Sequence, residues 1–505
     1  MQPMTGQFRM RPVIAAASLG TVIEWYDFYL FGSLAPILAA QFFPKDNPTT
    51  ALLATLATFA AGFIVRPFGA LVFGRLGDKA GRKHTFLLTL LIMGGATFAI
   101  GCVPSFQSIG YAAPVIVLLL RLLQGLALGG EYGGAATYVA EHAPEGKRGY
   151  YTSWIQTTAT LGLLLSLSVI LLTRVSLDPD KAQSIQHFES WGWRIPFFIS
   201  ALLVAVSVFI RLRMDESPGF KKIKEEGRIS VNPLRESFTR RRNLSLVLLT
   251  LFGAVMGQGV VWYTGQFYAQ TYMENSCLID FAQTRTLLIL AIVPATPLFI
   301  LFGAWSDRIG RKWIMMAGML LAVICYRPIY HNMLELTRPD AVVQEQMATV
   351  ATKQLGNQTL RIQRSEVQHK NGIVSTRSQT DTVQSDGRLL AGKPGKESRL
   401  LPRNKAMWMV ALVFIQLLFV AMVYGPIAAF LVEQFPTRIR YSSMSLPYHI
   451  GNGVFGGMTP FIAVLLTTAF PQEPLAGLWY PIGVAFLCFV IGTLYLTNRT
   501  PIHED

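Results

Sequence analysis

The chain is short of charge, of cysteine and of nucleotide-binding loops. Asp, Glu, Lys and Arg make up 14% of its 505 residues, against about 25% in soluble proteins, while 51% of the residues are hydrophobic. An ordinary soluble fold is excluded, and length does not translate into soluble domains if much apolar surface faces lipid. The four cysteines, Cys102, Cys277, Cys325 and Cys488, are far apart and lie in or beside apolar segments. That excludes a disulfide framework and a cysteine metal site. No G-x-x-x-x-G-K-[ST] loop occurs, so energy from nucleotide hydrolysis in this chain is excluded. No cleavable signal peptide is expected, because Arg9 and Arg11 precede an apolar stretch too long for an h-region and lacking a small-residue cleavage site.

What is there is a turn that occurs twice. Residues 74–83 read GRLGDKAGRK and residues 303–312 read GAWSDRIGRK. Both fit G-x-x-x-D-x-x-G-R-K, and each joins two long apolar stretches. A charged turn repeated between apolar helices suggests two similar halves, a common plan for secondary transporters. A bilayer core takes about 20 apolar residues per helix. On that measure spans are expected at 13–40, 50–73, 86–103, 112–139, 151–173, 195–211, 244–270, 284–304, 313–332, 406–432, 443–469 and 478–497. The expected fold is an all-α integral membrane protein of twelve transmembrane helices in two pseudo-symmetric six-helix bundles. The bundles are 1–211 and 244–505, joined by a basic cytoplasmic linker, 212–243, with a polar external insert, 333–405, between helices 9 and 10.

The net charge of +15 would suit nucleic acid. The Lys and Arg residues, however, sit mostly in short loops between apolar segments. Arg75, Lys79, Arg82 and Lys83 follow span two, Lys147 and Arg148 follow span four, and the linker is strongly basic, whereas 103–112 and 470–479 hold neither Lys nor Arg. By the positive-inside rule both termini are cytoplasmic. The insert is basic yet external by parity, which the rule permits for a loop of that length. Thr359–Val367 and Asn371–Val383 alternate apolar and polar residues, as strands do. Few aromatic or large aliphatic residues accompany them, so a β-element and disorder both stay open.

The doubled turn resembles the signature of the major facilitator superfamily. RLLQG at 121–125 is similar to its fourth-helix motif, AEHAPEGKRG at 140–149 to the element after that helix, and EQFPTRIR at 433–440 to the same element after helix ten. IEWYDFYLFG at 23–32, RPFGALVFGRLGD at 66–78, GGEYGGA at 129–135 and WGWRIPF at 191–197 narrow the resemblance to the metabolite:proton symporter family. It covers most of the chain except 333–405. It implies proton-coupled carriage of a small organic acid or zwitterion, with no cofactor beyond the proton gradient. The implied partners are an anionic or zwitterionic metabolite, protons and the lipid bilayer. No nucleic acid and no metal are expected. A bacterial inner membrane and a monomer are.

The residues supply candidates independently. Glu24 and Asp27 share a face in span one, and an intramembrane carboxylate marks a cavity, a partner or a proton path. Arg121 in span four cannot lose its proton in practice, so it needs an anion, with Asp27 as the natural partner. In the resembling superfamily this position is implicated in proton coupling. Glu131 is a further intramembrane carboxylate, either a second proton site or a helix lock. Tyr26, Arg121, Gln124, Gln156, Trp262, Tyr263, Gln266, Tyr424, His449 and Asn452 are candidates for substrate binding, as polar or aromatic side chains within apolar spans. Tyr424-Gly425-Pro426 suggests a broken helix, Tyr268 fits the outer aromatic belt, and Arg66 fits a snorkelling arginine. Gly74, Asp78, Arg82, Glu141 and Arg148 are expected to gate one half, and Asp307, Arg311, Glu433 and Arg438 the other. Uncoupled transport, export and a receptor built on a transporter scaffold remain as alternatives. The last would use the insert.

Overall fold

The computed structural model describes residues 10–44, 47–80, 82–130, 136–137, 139–140, 143–212, 241–355, 358–383, 389–390, 395, 397–435 and 440–497. Within these, side chains are described except at 10–17, 74–75, 77–80, 82–86, 181–182, 210–211, 242, 348–363, 378, 380–383, 389–390 and 440–442. The structure is helical apart from one small sheet. Span one runs Met10–Ser33 and continues as Ala35–Phe42. Span two is Pro48–Ile64 and Arg66–Ala80, span three Arg82–Cys102, span four Ala112–Gly129, span five Arg148–Ser176 and span six Ile195–Leu212. In the second half span seven is Asn243–Asn275, span eight Phe281–Ile309, span nine Arg311–Leu336, span ten Arg403–Gln434, span eleven Ser443–Ala469 and span twelve Ala476–Tyr495. Ten of these pass an 18-residue test of length and apolarity, and span three contributes the shorter apolar helix Leu87–Cys102. Several helices run beyond the expected apolar limits, as at 148–150 and 333–336.

Local chemistry fixes the ends. Asn47 caps span two by accepting from Thr49 N and Thr50 N, both at 3.1 Å, with Pro48 in the first turn. Asp280 caps span eight through Ala282 N at 2.9 Å and Gln283 N at 3.2 Å. The second repeated turn closes at Gly310, whose φ of +96° suits glycine and not an L side chain. Lys312 of the same motif donates to Thr493 O at 2.8 Å and Leu496 O at 2.7 Å, which ties span nine to the C-terminal end of span twelve. Span seven carries π-helical turns at Leu251–Val255 and Thr264–Tyr268, and span eleven one at His449–Gly456. Such turns rotate the following side chains and often mark functional positions. Span ten breaks at Gly425-Pro426.

Small residues allow the closest helix approaches. An added Cβ at Gly125 would lie 1.8 Å from Gly62 O, and one at Gly129 would lie 2.1 Å from Arg66 O, so spans two and four touch backbone to backbone. Between the halves, span five lies along span eight. There a Cβ at Gly149 would meet Gly303 O at 2.3 Å.

The segment between spans nine and ten holds a five-stranded antiparallel sheet. Its strands are β1 Val342–Leu355, β2 Gln358–His369, β3 Val374–Val383, β4 Leu389–Leu390 and β5 Ser398–Leu400, in the order β1-β2-β3-β4 with β5 also on β3. Strands therefore occupy the two alternating stretches where disorder was the other possibility. Residues 333–336 and 403–405 belong to the flanking helices. The sheet is joined to the loop before span eight. Arg399 N donates to Leu278 O at 2.6 Å, Asp280 N donates to Arg399 O at 2.9 Å, and Gln283 exchanges two bonds with Leu401, both at 2.8 Å. Glu397 binds Arg399 at 2.8 Å and Arg377 at 3.2 Å. Burial pushes its carboxyl upward, but those hydrogen bonds and charges hold it below the usual range.

Gly125→Ala should cost about 1–3 kcal/mol by overpacking and lower the apparent melting temperature in detergent. Gly95→Ala should leave it unchanged or raise it slightly, since a Cβ there meets nothing within 4 Å and alanine is favoured over glycine within a helix.

Candidate functional site

Spans one, two, four, seven, ten and eleven surround a buried polar and aromatic centre. Span two breaks at Val65, and the next residue, Arg66, is only 1% exposed. Its guanidinium lies 4.1 Å from the Phe63 ring centroid, 4.4 Å from Phe28 and 5.1 Å from Trp25. Tyr29 of the first half and Tyr263, Tyr424 and Tyr448 of the second stand within its electrostatic reach, as does His449. Nε and Nη2 of Arg66 have no hydrogen-bond partner among the described residues. The sequence expectation of a snorkelling arginine is corrected: this side chain turns inward to the seam between the halves. Only the position of the helix face, which depends on tertiary packing, distinguishes the two arrangements.

Arg121 is equally buried but differently held. Nη1 donates to Gln124 Oε1 at 2.7 Å and to Phe28 O at 3.3 Å, and Nη2 donates to Phe59 O at 3.3 Å. Gln124 in turn donates to Thr97 at 2.6 Å. The guanidinium stacks 4.1 Å from the Phe28 centroid, so Phe28 lies against both arginines. Arg121 thus links spans one, two and four inside the first half. The expected Asp27–Arg121 ion pair does not form here. Successive residues of a helix point about 100° apart, and with Phe28 facing Arg121, Asp27 faces Ser200 of span six. Neither Asp27 oxygen has a partner within hydrogen-bonding geometry among the described residues. Glu24 is also buried, and Tyr26 donates to Pro196 O of span six at 2.7 Å.

The second half supplies the facing wall. Trp262 stacks on Tyr29 with centroids 5.3 Å apart, and Tyr263 meets Phe63 edge-on at 5.1 Å. Gln266, on the second π-turn, has an amide with no partner among the described residues, as do Trp262 Nε1 and both ring nitrogens of His449. Asn452 pairs reciprocally with Gln258 at 3.0 and 3.2 Å and so braces spans seven and eleven. Gln156 of span five donates to Tyr424 O at 3.3 Å at the break in span ten, and Tyr424 and Tyr448 share a hydroxyl bond of 2.9 Å. Tyr268 is buried rather than belted at the interface.

Contacts between the halves occur at both ends of this centre. On the side of the repeated turns, Asp307 accepts from Gly149 N and Tyr150 N, both at 2.8 Å. A carboxylate of the second half therefore sits at the N-terminus of span five, where the helix dipole favours it. Arg311 holds Asp307 at 2.7 Å and Glu433 at 3.0 Å. Arg148 is half-buried beside them in sequence. Gly74, Asp78, Arg82, Glu131, Glu141 and Arg438 lie outside the residues or side chains described. On the sheet side, Arg285 binds Glu274 at 2.5 Å and also donates to Ser33 O, where span one breaks, and Gln270 donates to the same carbonyl at 3.2 Å. Phe281 lies under both Arg285 and Arg174. Burial raises the Glu189 carboxyl nearby, Arg174 draws it down and Asp280 raises it again. This second contact set was not foreseen. Its signal was a helix-start Arg285 within an otherwise apolar span. Beside it a cleft of about 580 Å³ opens between the halves, lined by Pro36, Pro48, Leu52, Tyr272 and Thr467 among others.

Residues 13–244 match the model of the sugar (and other) transporter family. The alpha-ketoglutarate permease of Escherichia coli (strain K12) is 30% identical over 483 residues, which cover 95% of this chain and 92% of that one. This chain belongs to the metabolite:proton symporter family of the major facilitator superfamily. The citrate-proton symporter of Klebsiella pneumoniae is 29% identical over 99% of this chain and 95% of its own. The proline/betaine transporter of Escherichia coli (strain K12) is 33% identical, but the match spans only 64% of either chain's length. The xylose transporter XylE from E. coli, solved in a partially occluded inward open conformation, superposes with a TM-score of 0.63 over 97% of this chain and 98% of that one. At 14% identity it shares the fold alone.

Asp307→Asn should weaken the contact between the halves by about 1.5–3 kcal/mol, a tenfold or larger shift toward the form open on the turn side. Spin labels at Glu145 and Arg308, both exposed on that side, should report longer distances.

Proposed function

We propose that the protein is a secondary active transporter that brings a small organic acid or zwitterionic metabolite into the cell together with protons, by alternating access. The observation that carries this reading is a buried centre lined by both halves, with the buried carboxylate of Asp27 behind it on the span-six side of span one, and breakable contacts between the halves at either end. The family membership and the transport functions of the relatives support it. The protein would lie in the bacterial inner membrane with both termini in the cytoplasm. The repeated turns would then face the cytoplasm and the sheet the outside.

The chain's own groups suggest an order of events. With the sheet side open, Asp27 takes a proton from outside, which removes a buried charge whose desolvation opposes movement. Substrate then fills the centre, and the halves rock about it. Opening the turn side requires Asp307 to leave the start of span five, and water reaching Asp27 takes the proton away. Arg121, held by two carbonyls and Gln124, keeps spans one, two and four together as one moving body. Glu24 shares the helix face of Asp27 and serves as a second stop for the proton.

In proteoliposomes, Asp27→Asn should abolish uphill accumulation driven by an inward proton gradient, and with it the acidification of an enclosed pH dye. Substrate counterflow, which needs no net proton movement, should persist. Uphill accumulation surviving in this variant removes Asp27 from the coupling path.

A further inference from the structure

We infer that Arg66 anchors the anionic group of the transported substrate, and that the substrate is a carboxylate-bearing anion rather than an amino acid or betaine. This rests on the transport reading above and deepens it. A guanidinium keeps its proton, and a buried charge without a counter-ion is costly unless something pairs with it. Among the described residues Arg66 is such a charge. The groups within its electrostatic reach are Tyr29, Tyr263, Tyr424 and Tyr448, with no carboxylate among the described residues, and two of its nitrogens are unpartnered.

Arg121 provides the contrast. Its two terminal nitrogens are occupied by backbone and amide oxygens of the first half alone. Arg66 is the one that both halves approach, with Phe63 and Tyr29 on one side and Tyr263, Tyr424 and His449 on the other. An anion held there touches both moving bodies, as alternating access requires. Around it, the unpartnered Trp262 Nε1, the Gln266 amide and the His449 ring offer neutral donors and acceptors for hydroxyl or carbonyl groups of the substrate.

The same geometry selects charge class. Arg66 and Arg121 lie within each other's field. An ammonium next to the anchored carboxylate would add a third positive charge. Asp27, which could offset it, is not among the groups that act on Arg66 and faces span six.

The test is binding and counterflow with purified full-length protein. The probes are 2-oxoglutarate, citrate, shikimate, proline and glycine betaine, and the monocarboxamide of whichever acid binds best. The expected result is exchange of an acid, with affinity reduced about 100-fold in Arg66→Gln and less in Arg66→Lys, and no exchange of proline or betaine. The carboxamide should bind wild type weakly and lose little more in Arg66→Gln, a non-additivity that a merely structural role would not produce. If Arg66→Gln does not fold, Arg66→Lys against the acid and its carboxamide gives the same comparison. Unchanged acid affinity in a folded variant, or preference of the wild type for proline or betaine, overturns the anchor and leaves transport standing. Acid binding without counterflow of any probe sinks the transport reading and keeps the anchor. No binding of any probe sinks both.

Discussion

A positive charge that cannot be discharged, placed where water does not reach, dictates the arrangement around it. Two guanidiniums occupy the centre of this protein, and the first half is organised to hold them. Phe28 is gripped between them, Phe63 and Trp25 screen one, and the carbonyls of Phe28 and Phe59 satisfy the other. The glycines of spans two and four follow from the same need. Only backbone contact at Gly62, Gly125 and Gly129 brings the start of the second segment of span two close enough to span four for both arginines to share one aromatic ring. Neutralisation by proton transfer is the usual escape for a buried charge; Asp27 has it by taking up a proton, whereas the arginines would have to lose one and do not. A fixed charge and a switchable one therefore lie on opposite sides of span one, the arginines against Phe28 and Asp27 towards span six.

The two ends of the seam are built from unlike chemistry. At the turn end a carboxylate receives the amides of a helix start, with Arg311 and Glu433 completing a compact network. At the sheet end an arginine reaches for a carbonyl exposed by the break between Ser33 and Ala35. In both, one partner is backbone. Such contacts depend on helix position more than on side-chain identity opposite, so each end registers where the helices lie.

Much of this was legible in the sequence, for identifiable reasons. Apolar runs and basic loops place twelve spans, since a lipid-facing helix has few other ways to be written. Gly425-Pro426 announced a break, and the spacing of Asp307, Arg311 and Glu433 brought their residues together in one network. What escaped depends on rotation. Arg66 lies eight residues before Gly74, about 12 Å along a helix, close enough to the turn to suit a snorkelling side chain. Nothing local says that Val65 interrupts the helix and turns Arg66 inward. Asp27 and Phe28 differ by one step around span one, and that step decides which of them meets Arg121. The sheet-end contacts escaped because the acceptor is a carbonyl, and every residue has one.

The sheet between spans nine and ten shares its fastening with one of these ends. Arg399 is bonded to Leu278 and Asp280, and three to five residues further on Gln283 grips Leu401 while Arg285 reaches the first half. The strands are thus bolted to the very loop that would swing if that end parts as proposed. In the proposed cycle they would act as a pointer fixed to a hinge plate, a small rotation at the seam becoming a larger displacement at the far strand edge. Val343 and Met347 are broadly exposed on β1, and a dye or antibody fragment held there would follow the working cycle from outside without entering the pathway.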